Sequence, residues 1–145
     1  MKNAAILIVE AEALIRMESV DIVKDAGFTA LEARNADEAV GILASRNDIR
    51  VVFVETKISG SIDGLTLAHL IRDRWPPVHL ILTSGLIVDG DELPENAVFV
   101  PKPYSCEQVT RALRELFSYN AKRMRGVTRH YQSWQASPQR ALARV

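Results

Sequence analysis

Five short apolar runs dominate what this chain can become: residues 4–9, 28–33, 50–54, 78–82 and 97–100. Ile6-Leu7-Ile8-Val9 and Val51-Val52-Phe53-Val54 are continuous rather than alternating. A strand of that kind is buried on both faces, as in a parallel sheet covered by helices. Segments with helical periodicity lie between the runs. Such alternation builds a parallel sheet with a helix after each strand, joined by right-handed crossovers. The expected fold is α/β: a three-layer sandwich around a five-stranded parallel sheet in the flavodoxin-like order 2-1-3-4-5. In that order ligands bind beyond the carboxyl ends of strands 1 and 3.

Local chemistry delimits the helices. Residues 13–26 read as an amphipathic helix with Leu14, Met17, Val20 and Val23 as its apolar positions and Gly27 at its C-cap. Asn35 or Asp37 caps a helix running to about residue 45, with Ala39, Val40, Ile42 and Leu43 inward. Asp63 caps residues 64–74, and Trp75-Pro76-Pro77 ends that helix. Gly85, Gly90 and Pro94 leave space in 84–96 for one short helix near 89–93 at most. Ser105 caps the last helix, with Glu107 in its first turn and Val109, Leu113, Leu116 and Phe117 as its inner stripe.

The 145 residues suit one domain with a full core. No apolar run approaches the roughly 20 residues of a membrane span, and Glu10 and Glu12 interrupt the first one, against a signal peptide. The single cysteine, Cys106, excludes an internal disulfide and fits a reducing cytoplasm. Three scattered histidines make no zinc cluster. The net charge of zero conceals a division. Residues 1–118 carry 12 basic and 18 acidic side chains, whereas 119–145 carry six basic and no acidic ones. The domain is therefore expected to end near residue 118. Residues 119–145 read as a basic tail, either helical at its start or disordered.

Each strand end presents a polar group. Glu10 follows the first run, Glu55 the third and Thr83 the fourth, and Pro101-Lys102-Pro103 follows the fifth. Two carboxylates, a hydroxyl and an ammonium thus converge at one edge of the sheet. With Ser59-Gly60, Asp63-Gly64 and Thr83-Ser84-Gly85, this layout resembles a response-regulator receiver domain over about residues 4–118. The resemblance implies that Glu55 stands at the phospho-acceptor position. Glu10 and Ala11 then take the acidic-pair positions, and Thr83 and Lys102 the phosphoryl-oxygen contacts. Phe99 takes the position of the switch aromatic, with core packing as its alternative reading. The resemblance further implies a cis bond to Pro103.

Two departures from the family pattern alter the expectation. Ala11 replaces the main metal-binding Asp, and Glu55 replaces the acceptor Asp. Mg²⁺ demands octahedral oxygen geometry and one or two protein carboxylates. Glu10 and Glu55 are expected to hold it weakly at best, so no cofactor is expected. Glu places its carboxylate about 1.5 Å further out than Asp, and a misplacement of about 1 Å can slow a positioned transfer roughly 100-fold. Glu55 is thus expected to carry a fixed charge, either as a partial mimic of the phosphorylated state or as an inert ion pair.

The resulting expectation is a stand-alone, non-enzymatic signalling module of a bacterial two-component system or phosphorelay. Its partner would be a histidine kinase or another response regulator, met around the fourth and fifth helices and strand 5, with a homodimer as a further form. An alternative is a working phospho-acceptor that shuttles phosphate in a relay. Another is nucleic-acid contact through Lys122-Arg123-Met124-Arg125, Arg129-His130-Tyr131 and Trp134. An unrelated enzyme is disfavoured, since the chain has no glycine-rich phosphate loop, nucleophile elbow or Ser-His-Asp set.

Overall fold

The computed structural model describes residues 4–122, with side chains through Ser118. The tail expected at 119–145 lies almost wholly outside the described residues. The elements run β1 (Ala5–Val9), α1 (Ala13–Asp25), β2 (Thr29–Ala33), α2 (Ala36–Ser45), β3 (Ile49–Glu55), α3 (Gly64–Arg74), β4 (His79–Ser84), β5 (Val98–Pro101) and α4 (Cys106–Lys122). The strands form one parallel sheet in the order β2-β1-β3-β4-β5. Register sets Leu7 beside Leu31 and Val52, Phe53 beside Ile81, and Leu82 beside Phe99.

The two-residue period of a strand sends successive side chains to opposite faces, and both faces are buried. Leu7, Val9, Val52, Val54, Leu80, Leu82 and Phe99 form one core with Ala39 and Leu43 of α2 and Leu67 and Ile71 of α3. Ile6, Ile8, Val51, Phe53 and Ile81 form the other with Val23 of α1 and Val109, Leu113 and Leu116 of α4. Burying one such aliphatic side chain stabilises the fold by about 1.5–3 kcal/mol, so neither layer is dispensable.

Side-chain caps set where the helices begin. The Asn35 side chain accepts from Glu38 N at 2.9 Å and that of Asp63 from Thr66 N at 2.8 Å. Asp37 does not cap α2. Its carboxylate instead accepts Ser61 Oγ at 2.7 Å and Ser61 N at 3.3 Å, clipping the β3–α3 loop to the start of α2.

Two expectations are corrected. No α-helix follows β4, against the expectation of a helix after each strand; the room for at most one short helix near 89–93 is taken by a single 3-10 turn, Gly90–Glu92. Asp89 and Glu92 cap that turn reciprocally, and Pro94 follows its C-cap residue Leu93, so the segment never exceeds the costly first turn of a helix. His69 Nε2 pairs with Glu92 O at 2.7 Å and Arg72 Nε donates to Glu95 O at 3.0 Å, holding the segment against α3. Val88 and Leu93 cover the core in place of a helix.

The second correction concerns α1. Leu14 and Met17 point outward, at 78% and 59% exposure. The inward positions of the first turns belong to Ile15, Arg16 and Ser19, because the two polar ones find partners across the fold.

Candidate functional site

The carboxyl ends of β1, β3 and β4 bring three residues to one place. Glu10 directly follows β1, while Glu55 and Thr83 are the paired residues that close the β3–β4 ladder. By strand alternation all three continue the face of Ile8, Phe53 and Ile81. Lys102 follows β5 and is anchored there, its backbone N donating to Ser84 O at 3.0 Å. The Lys102–Pro103 peptide is cis.

Lys102 Nζ lies 3.0 Å from Glu10 Oε1 and 2.5 Å from Glu55 Oε1. Glu10 and Glu55 are buried, and the Lys102 side chain is only 17% exposed. The second oxygen of each carboxylate is also occupied. Glu10 Oε2 accepts Glu12 N at 3.0 Å, and Glu55 Oε2 accepts Lys57 N at 3.0 Å and Thr56 Oγ1 at 3.3 Å. All four carboxylate oxygens therefore hold donors, and the group carries one net negative charge. Burial pulls the Lys102 ammonium down, but its hydrogen bonds and charge pairing with Glu55 and Glu10 outweigh burial, leaving its pKa raised. Each ion pair is worth about 5 kcal/mol gross at an effective dielectric near 20, most of it offset by desolvation.

The surrounding backbone holds this geometry. Arg16 Nη1 donates to Glu10 O at 2.9 Å and Ala11 O at 3.4 Å, and its Nε donates to Glu32 Oε1 at 3.1 Å. One guanidinium thus ties the β1–α1 loop to β2. Gly64 begins α3 against the backbone of Glu55, where a Cβ would stand 1.9 Å from Glu55 O. Only glycine permits that approach.

The residues singled out in the sequence fare differently. Glu10, Glu55 and Lys102 are joined directly. Thr83 sits next to Glu55 in the ladder, but its buried Oγ1 has no hydrogen-bond partner among the described residues. Ala11 is exposed and supplies no ligand. Phe99 is fully buried in the core of α2 and α3, on the sheet face opposite Glu55 and Thr83. Glu12 precedes α1, is exposed, and contributes only its backbone N–H.

Sequence reasoning assigned no role to Tyr104 and Ser19. Tyr104 OH and Ser19 Oγ are 2.7 Å apart, Ser19 Oγ also reaches Ile15 O at 3.0 Å, and the Tyr104 ring packs 5.5 Å from Phe53. Burial pushes the Tyr104 phenol up, against the lowering effect of its Ser19 hydrogen bond. This contact ties α1 to the segment just after Lys102. The one signal for it was a serine at an inward helical position.

No family model matches the chain. Among curated proteins it is 30% identical over 118 residues to the sensor kinase CckA of Brucella abortus, an alignment covering 79% of this chain and 12% of the kinase. It is 36% identical over 81 residues to the nitrogen assimilation regulatory protein NtrX of Azorhizobium caulinodans, covering 55% of this chain and 18% of the regulator. The signal receiver domain of an HD-domain-containing protein from Pseudomonas fluorescens Pf-5 superposes with a TM-score of 0.72 at 22% identity, over 83% of this chain and 99% of that one. The chain carries a response-regulator receiver domain. The receiver spans less than a fifth of either curated relative. Its strand-end ion cluster joins the residues that the family resemblance sets at the acceptor position, the first of the acidic pair and the lysine: Glu55, Glu10 and Lys102. Among the described residues no helix is long and apolar enough to cross a membrane.

Proposed function

We propose that this receiver signals by binding a protein partner and does not take up or turn over phosphoryl groups. The observation that carries the reading is the Lys102 ammonium held between Glu10 and Glu55. An acceptor carboxylate must offer a free oxygen in line with the donor, with a metal to spread the charge. Both Glu55 oxygens are engaged, by Lys102 on one side and by Lys57 N and Thr56 Oγ1 on the other.

The same residues do not fit Mg²⁺. Lys102 stands between the two carboxylates that would hold it, Ala11 adds no donor, and no group of three metal-ligating side chains occurs among the described residues. The partner would be a histidine kinase or another response regulator in the cytoplasm. The names of the relatives, a sensor kinase and a nitrogen regulator, support that class. Glu55 acts as an ion-paired fixed charge rather than a full phosphoryl mimic, a reading supported by the unrecruited Thr83 hydroxyl.

That hydroxyl also supports a second reading. A buried donor without a partner costs about 1–3 kcal/mol, and a phosphoryl oxygen on Glu55 would relieve it, as in a working relay acceptor. Intact-mass spectrometry after incubation with acetyl phosphate or a phosphorylated kinase separates the two. The first reading expects no mass gain, together with kinase or regulator binding by the same sample. A stable acyl phosphate overturns it. The double variant A11D/E55D should gain Mg²⁺-dependent labelling if the remaining pocket is competent.

A further inference from the structure

Lys102 projects from the chain just past β5, and its place between Glu10 and Glu55 depends on what holds that backbone. On the strand side its N–H donates to Ser84 O at 3.0 Å. On the other side lie Pro103, Tyr104 and Ser105, before α4 starts at Cys106. Among the described residues Ser105 bonds only within α4, to Gln108 and Val109. Tyr104 reaches across the fold instead. Its hydroxyl meets Ser19 Oγ of α1 at 2.7 Å, and its ring lies 5.5 Å from that of Phe53.

The direction of that bond follows from counting protons. A serine hydroxyl donates one hydrogen. Ser19 Oγ lies 3.0 Å from Ile15 O, which can only accept, so the serine hydrogen goes there. The hydrogen in the 2.7 Å contact therefore comes from Tyr104, and Ser19 accepts it. Ser19 is buried, which keeps solvent from competing for the bond.

The same helix also holds the other side of the cluster. Glu12 N donates to Glu10 Oε2 at 3.0 Å, and Arg16 Nη1 donates to Glu10 O at 2.9 Å. Glu10 in turn pairs with Lys102 at 3.0 Å. The contacts close a ring: Lys102, Glu10, the first two turns of α1, Ser19, Tyr104, and back along the chain to Lys102. A shift of α1 against the sheet must therefore disturb the ring at Glu10 or at Tyr104.

We propose that Tyr104 is a positioning residue for Lys102: by donating to Ser19 it ties the backbone that carries the ammonium to α1, so that α1 and the ion cluster move together. A load on the exposed Leu14 and Met17 of α1 is then felt at Lys102, and by reciprocity a change at Lys102 alters α1. The coupling belongs to the free domain and holds whether or not Glu55 takes up a phosphoryl group.

Proton exchange from the Lys102 ammonium, read by nitrogen-detected NMR near neutral pH in the full-length protein, tests this. K102M assigns the signal by its loss. Y104F keeps the ring against Phe53 and removes the donor, whereas S19A removes the acceptor and leaves Tyr104 whole. Each is expected to speed exchange of the Lys102 ammonium about fivefold, the low end of coupling between sites. S19A/Y104F should be no faster than either single variant, because both break one bond. Ammonium exchange proceeds through local opening, far more frequent than unfolding of the domain, so a mere loss of stability leaves it unchanged. In the reverse direction, K102M should shift the Ser19–Val23 amides less in a Y104F background than in the wild type. Unchanged exchange in S19A overturns the proposal, even where Y104F speeds it, because the phenol would then act on Lys102 without α1. Effects that multiply in the double variant overturn it too, as does a K102M shift of equal size in both backgrounds.

Discussion

Replacing Lys102 with Met tests whether the ion cluster organises the site or merely decorates it. Met approximates the length and apolar stem of lysine but removes the only ammonium within reach of Glu10 Oε1 and Glu55 Oε1 among the described residues. Each carboxylate keeps its backbone donor, Glu12 N or Lys57 N, so neither is stripped bare. Breaking a buried ion pair by removing one partner costs about 3–5 kcal/mol. The remaining donors and the partial exposure of Lys102 place K102M at the lower end, about 3 kcal/mol at neutral pH. Urea unfolding followed by far-ultraviolet circular dichroism reads this directly, as a lower midpoint with an unchanged slope. The loss should shrink as the pH rises above 10.5 and through the raised pKa of Lys102, because the wild type then gives up its own cation. E10Q/E55Q/K102M, which removes all three charges, should recover most of the stability, since a neutral replacement of similar volume is often tolerated. The reasoning is refuted if K102M costs under about 1 kcal/mol, the range of a solvated surface pair, or if its cost does not change with pH.

Three further outcomes are expected. G64A should cost about 2–3 kcal/mol and disturb the amide shifts of Glu55 and Thr56, because its Cβ would collide with the Glu55 carbonyl; a neutral G64A would mean that α3 can shift freely. Y104F removes a buried hydrogen bond to Ser19 and should cost about 1 kcal/mol, measured by thermal unfolding. The Lys102 pKa is raised on folding above the ordinary lysine value of 10.5, so its contribution is complete below that value and is lost as pH rises through the folded one. Unfolding midpoints of the wild type should therefore fall above pH 10.5 more steeply than those of K102M.

The sheet was legible because its apolar runs are continuous, a pattern that leaves strand direction and order few alternatives. Glu10, Glu55 and Lys102 were legible for the same reason, since each closes or follows such a run. Strand limits shifted by a residue or two where pairing continued past the apolar stretch, as at Glu55 and Ser84. The orientation of α1 was not legible. Periodicity weights Leu14 and Met17 inward, yet Arg16 and Ser19 take that side because their partners are Glu10 O, Glu32 and Tyr104. Those contacts join residues as much as 85 positions apart, and no local pattern encodes them. The unpartnered Thr83 hydroxyl was equally hidden, because the sequence set the residue beside Glu55 without showing which atoms Lys102 reaches.

The single turn that replaces a helix between β4 and β5 alters how that side of the receiver can respond. A helix moves as a rigid rod, and remodelling it means breaking a ladder of backbone bonds. Here the polypeptide over β5 is positioned by two side chains of α3, His69 and Arg72, gripping carbonyls of Glu92 and Glu95. Releasing those two grips would leave the cover above Phe99 held by the packing of Val88 and Leu93 and by the turn's own caps. Mechanical control of the β4–β5 side is thus shared with its neighbour α3, and a protein that seizes α3 holds one of the handles.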